Sequence, residues 1–182
     1  MPTIVPFRSM LFSKKLRSQL KDLIAPPYDV ISEDGLKALR ARHDFNAVKL
    51  SLVENPEDAD RYKKMRSMLE SWKTQGVFEK DESPSFYLIE ERFTVAGREH
   101  QRVGFVCLME VSSFEERKVL PHEHTLAGPK KDRFELLKEM GAELSQVFLC
   151  YKDPSQCLEK IYSKLKDVPP LLDVPEVDHV RR

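Results

Sequence analysis

The stretch from Asn55 to Gly76 constrains the fold most. Ala59, Tyr62, Met65, Leu69 and Trp72 recur at spacings of three and four, which places them on one stripe of an α-helix. Asn55 suits the N-cap, Pro56 the first turn, and Glu57 and Asp58 the positive end of the helix dipole. Gly76 stands where a left-handed residue ends such a helix. An amphipathic helix of this kind must bury its stripe against something else. Trp72 therefore reads as core and not as part of a cofactor box.

The rest of the chain supplies partners for that stripe. Ile4 to Phe7 reads as a short strand. Ala25-Pro26-Pro27 forces an extended path, on which a cis bond would also fit, and Ser32 caps a helix over 33–42. Ala47 to Val53 alternates Val48, Leu50 and Leu52 and predicts a strand. Phe86 to Phe93 and Val103 to Val111 predict two strands joined by a turn at Ala96-Gly97-Arg98. The second is apolar on both faces and predicts a central strand. A helix is expected from about Asp132 to Met140, with Phe134, Leu137 and Met140 on its inner side. Val147 to Tyr151 predicts a buried strand. Asp153-Pro154-Ser155-Gln156 opens a last helix bearing Leu158, Ile161, Tyr162 and Leu165. The order is βαβαββαβα, an α+β fold with helices packed on a mixed sheet. Residues 1–166 form one domain in this reading, and 167–182 an extended tail or linker towards a missing C-terminal half.

Composition narrows the function. Thirty basic residues balance thirty acidic ones, whereas a dedicated nucleic-acid binder shows a clear basic excess. The early cluster Arg8, Lys14, Lys15, Arg17 and Lys21 is accounted for by a solvated surface. Cys107, Cys150 and Cys157 have neither zinc-like spacing nor the numbers for a disulfide framework. No segment has the length and apolarity of a membrane span, so the expected location is the cytoplasm.

Reactive side chains concentrate between Pro121 and Arg133, in a stretch expected to be a long loop. On an extended path His122 and His124 share one side and Glu123 takes the other. They could serve as general acids or bases, as two ligands of a metal, or simply as loop-stabilising hydrogen-bond partners. The HExxH spacing is absent. The second half suits an anion: Gly128 permits close backbone approach, Lys130 and Lys131 supply charge, and Asp132-Arg133 are expected to open a helix with outward N–H groups. A solvated basic loop with Asp132 as an ordinary cap fits equally. Walker, nucleophile-elbow and dinucleotide fingerprints are missing. Tyr28 and Asp29, held by the preceding prolines, either face a cleft or form a turn with a buried ring.

Residues 25–32 (APPYDVIS), 43–52 (HDFNAVKLSL), the run from Trp72 to Asp81, 85–93 (SFYLIEERF), 102–105 (RVGF) and 121–133 (PHEHT-x2-GPKKDR) resemble, in order, the N-terminal half of domain-of-unknown-function family 1015. The resemblance implies a cytoplasmic bacterial or archaeal protein, distantly ParB-like. Its second half would carry an Asp-Gly-His-His-Arg motif, which this chain lacks. Family positions carried over are Tyr28, Asp29, His122, Glu123, Thr125, Lys130, Asp132 and Arg133, with Thr125 adding a hydroxyl for a metal or phosphate oxygen.

The expectation is the N-terminal half of a nucleotide- or phosphate-handling enzyme. His122 or Glu123 would serve as acid/base, and Lys130 with Arg133 would offset charge on a phosphoryl group. Its ligand would be a small phosphate or a nucleotide, with magnesium as the accompanying ion, and its partner the chain's own missing half. Two rivals are a non-catalytic ParB-like module binding nucleic acid or protein, and a metal-dependent hydrolase using the His-Glu-His triplet.

Overall fold

The computed structural model describes residues 2–122, 126–174 and 180–181. In chain order the elements are β1 (Ile4–Val5), β2 (Met10–Phe12), α1 (Leu20–Leu23), α2 (Glu33–Arg42), α3 (Val48–Ser51), α4 (Arg61–Thr74) and β3 (Phe78–Lys80). They continue with β4 (Tyr87–Val95), β5 (Arg98–Val106), β6 (Leu108–Met109), α5 (Ala127–Met140), α6 (Cys157–Leu165) and β7 (Val180–Arg181). The fold is α+β, with helices and small sheets whose described pairs are antiparallel. None of the described helices is long and apolar enough to cross a membrane. Two compact units emerge. The first comprises Met1–Pro2, Met10–Lys80 and Val111–Gln146, and the second Thr3–Ser9, Asp81–Glu110 and Val147–Arg182.

The first unit is organised by α4. Met65, Leu69 and Trp72 are buried along its stripe, as their spacing requires. They pack with Leu16, Leu23, Leu50, Val77, Leu136 and Met140. Gly76 adopts φ 67° and closes the helix, its N–H donating to the Lys73 carbonyl at 3.0 Å. The start differs from expectation. Asn55 accepts from the Glu57 N–H at 3.1 Å and Asp58 from the Asp60 N–H at 3.0 Å. These short-range turns satisfy the backbone locally and delay the helix to Arg61.

Residues 47–53 do not form the expected strand. Val48–Ser51 is a single helical turn with Val48 and Leu50 both buried. Asn46, wholly buried, decides this. Its amide donates to the Asp22 and Ile24 carbonyls at 2.7 and 3.1 Å, and its side-chain oxygen accepts the Val48 N–H at 3.0 Å. The bond at Val48 starts the turn, while the other two fasten it to the end of α1. Ser32 caps α2 as expected, accepting from the Gly35 N–H at 3.1 Å. Described peptide bonds are all trans, and Pro27, at φ −53° and ψ 140°, follows the extended path. In α5 the buried side chains are Leu136 and Met140. Phe134 and Leu137, expected on the inner side, are exposed.

The second unit is built on the β4–β5 hairpin. Ala96 and Gly97 both have positive φ, the combination that turns two twisted strands tightly. Register runs from Tyr87↔Val106 to Val95↔Arg98. The strand expected to be central is not: among the described residues it lies at an edge of the order β5-β4-β7, and Val111, beyond it, is 96% exposed. Val147–Tyr151 makes no ladder among the described residues.

Asn46→Ala should cost about 2–4 kcal/mol, because it strands the buried Val48 N–H and two part-buried carbonyls. Urea unfolding of the variant would measure this, and a loss below about 0.5 kcal/mol would show that Asn46 does not fix the turn.

Candidate functional site

Helix α5 begins at Ala127, five residues before the expected start, so Asp132 does not cap it and Arg133 lies in its second turn. Pro129 explains the shift. Proline's fixed φ suits a first helical turn, and its missing N–H costs nothing there. Leu126, at φ −70° and ψ 139°, is the N-cap. Ala127 and Gly128 thus supply the outward N–H groups expected of the helix start. Gly128 is not forced by crowding, since a Cβ there would meet no atom within 4 Å.

Asp132 and Arg133 turn inward instead. Arg133 lies over the Tyr28 ring with its guanidinium carbon 4.5 Å from the centroid. One terminal nitrogen donates to the Ser51 carbonyl at 2.7 Å. The remaining two reach the Asp132 carboxylate. The Asp132 carboxylate also accepts from the Tyr62 hydroxyl at 2.5 Å. Tyr62 in turn lies under Arg61, 4.3 Å from centroid to guanidinium, and accepts a hydrogen bond from it at 3.1 Å. Two tyrosine–arginine stacks therefore flank one carboxylate. Burial pushes the Asp132 carboxyl up, but the hydrogen bonds from Tyr62 and Arg133 and the charges of Arg133 and Arg61 outweigh it and hold its pKa below the ordinary value. Burial, then the bond to Asp132, raises the Tyr62 phenol.

Tyr28, Asp132 and Arg133 are thus brought together, and Asp29 is exposed in the short 3-10 turn beginning at Tyr28. Lys130 and Lys131 are exposed, and neither makes an ion pair among the described residues. With Ala127 and Phe134 they line a shallow concavity of about 340 Å³. His122 is exposed. Glu123, His124 and Thr125 lie outside the described residues, and the rest hold no group of three or more His, Cys, Asp or Glu side chains suited to a metal ion. Sequence reasoning missed Tyr62 as a polar partner because its position on the apolar stripe of α4 accounts for it completely. Ser51 acts through a main-chain oxygen, for which side-chain patterns give no signal.

This cluster joins the end of the Pro-Pro turn, the close of α3 and the second turn of α5. The sequences that form it, APPYDV and the run through Lys130, Asp132 and Arg133, are those that carried the resemblance noted above. The family described as "Protein of unknown function (DUF1015)" matches residues 4–182, and the chain belongs to it. No curated protein and no solved structure matches the chain.

Arg133→Lys should destabilise the protein by about 1–3 kcal/mol, since one ammonium cannot stack on Tyr28 and also serve Ser51 and Asp132; chemical denaturation measures the loss. A depressed folded pKa means that the Asp132 charge stabilises fully above its unfolded value of about 4, and that this contribution fades as pH falls through the lower folded value. The stability gap between wild type and Asp132→Asn should therefore narrow below about pH 4. Urea melts across that range would show it, and a constant gap would rule out a role for the charge.

Proposed function

We propose that this protein handles a phosphate-bearing small molecule, a nucleotide in the fuller reading, and that the first turn of α5 holds its anionic group. The observation that carries the reading is the shallow concavity along the first two turns of α5, lined by Ala127, Lys130, Lys131 and Phe134. Two ammonium groups, the N–H groups of Ala127 and Gly128 and the positive end of a fourteen-residue helix all favour negative charge at one place. Gly128 leaves the backbone open to close approach.

Arg133 takes a different part from the one its charge first suggests. Its three nitrogens are engaged by Ser51 and Asp132, so it sets the pose of α5, and Tyr28 and Asp132 hold it there. Lys130 and Lys131 are the groups that meet the ligand. His122 and Glu123 are the acid–base groups of this reading, and a nucleotide would arrive with magnesium. Phosphoryl chemistry asks a protein mainly for positioning and charge compensation, which is what a rigidly seated basic helix start offers.

Titration of isotope-labelled protein with inorganic phosphate and with magnesium ATP, followed through backbone amide shifts, tests the reading. Shifts should centre on Ala127, Gly128 and Lys130. The double variant Lys130→Ala/Lys131→Ala should bind at least about tenfold more weakly. Undiminished binding by that variant, or shifts confined to other elements, would overturn the assignment.

A further inference from the structure

The second unit contains a run of five consecutive apolar residues, Val147-Phe148-Leu149-Cys150-Tyr151, that is exposed although two of its side chains touch β5. We propose that residues 147–151 are a strap that closes onto the outer edge of β5 as a parallel fourth strand.

Three observations point there. First, β5 pairs with β4 on one side only, so among the described residues its other edge has no ladder. Second, the run is built of strand-favouring side chains, its backbone makes no hydrogen bond to β5 among the described residues, and Val147 and Phe148 are 78% and 57% exposed. An open edge beside an exposed apolar segment is a pairing hazard that folded proteins cover. Third, two side chains of the segment already touch residues of β5. The Arg102 guanidinium sits 5.0 Å from the Phe148 ring centroid, and the Phe105 and Tyr151 rings meet edge-to-face at 5.7 Å.

Those two contacts decide the geometry. Arg102 pairs with Glu91 and Phe105 with Leu88, so the two side chains stand on opposite faces of the sheet. Phe148 and Tyr151, also three residues apart, would likewise point to opposite faces if 147–151 were a strand. A segment lying over one face would meet only one of the two partners. A segment beside the edge meets both, and the equal steps, 102 to 105 and 148 to 151, give a parallel direction. Closing then requires only that the strap approach to ladder distance. The gain is partners for the outer backbone groups of β5 and cover for Phe148 and Leu149. Tyr162 on α6, bonded to Glu90 at 2.8 Å and Gln101 at 2.5 Å on one face, anchors the chain that follows.

The register sets Cys150 beside Gly104, on the face of Phe148 and Arg102. A Cβ at Gly104 would meet nothing within 4 Å, and the spacing of neighbouring strands lies within reach of a disulfide. In the full chain carrying Cys107→Ser and Cys157→Ser, Gly104→Cys should cross-link to Cys150 within one molecule under mild oxidation. It should do so at least about tenfold faster than Val103→Cys, which faces the other side. Equal rates, no cross-link, or cross-links only between molecules would overturn the proposal, the last by making the edge a docking site for a second copy. Hydrogen exchange on the unsubstituted protein gives an independent measure. A closed strap protects both alternate sets of β5 amides, whereas protection of only the set facing β4 would refute it.

Discussion

Arg133 is the interaction on which the first unit's surface depends. A guanidinium offers a flat face and donors in a fixed fork, and here the face covers Tyr28 while the donors divide between Ser51 and Asp132. Segments distant in sequence are tied by a single side chain: the turn after Pro26-Pro27, the end of α3 and the second turn of α5. Because a helix is stiff, fixing its second turn also fixes its first. The orientation of Lys130 and Lys131 is therefore set by a residue that points away from them into the protein. Tyr62 closes the arrangement by donating to the Asp132 carboxylate while accepting a hydrogen bond from Arg61, so the polar groups of the cluster form one connected chain.

The two units are stabilised in different ways. The buried apolar residues among those described belong to the first unit, from Leu16 to Met140, and hydrophobic burial is its main source of stability. Phe45 and Phe78 extend the cluster by packing against Trp72 with ring centroids 5.4 and 6.0 Å apart. The second unit rests on ladder hydrogen bonds, on cross-strand pairs such as Glu91 with Arg102, and on polar anchors such as Tyr162. A hairpin gains little stability without a covered face. The exposed run 147–151 is the piece of this unit best matched to supply more cover.

Local signals in the sequence were reliable where the physics is local. Ser32 capped its helix, Ala96-Gly97 formed its turn, and Gly76 ended α4. The stripe Met65, Leu69 and Trp72 was buried because a helical period leaves no other face for it. Expectations failed where two local rules competed. Alternation at Val48, Leu50 and Leu52 favoured a strand, but Asn46 imposed a turn through three hydrogen bonds, two of them to residues more than twenty positions away. Asn55 did behave as a cap-type residue, yet it closed a local turn and the helix began later.

The candidate site divides along the same line. The sequence by itself determined which residues carry charge at residues 121–133, that Gly128 leaves the backbone open, and that the fold would be α+β, because residue chemistry and periodicity are properties of the chain. Only the tertiary structure decided which of those charges faces solvent and which is consumed inside. Lys130, Lys131 and Arg133 look alike in sequence, but α5 starts at Ala127, and the helical turn then carries Arg133 to Tyr28 and Ser51 while the lysines stay outside. That sorting depends on rotation about a helix axis and on partners more than eighty residues away, and neither is written in the local pattern.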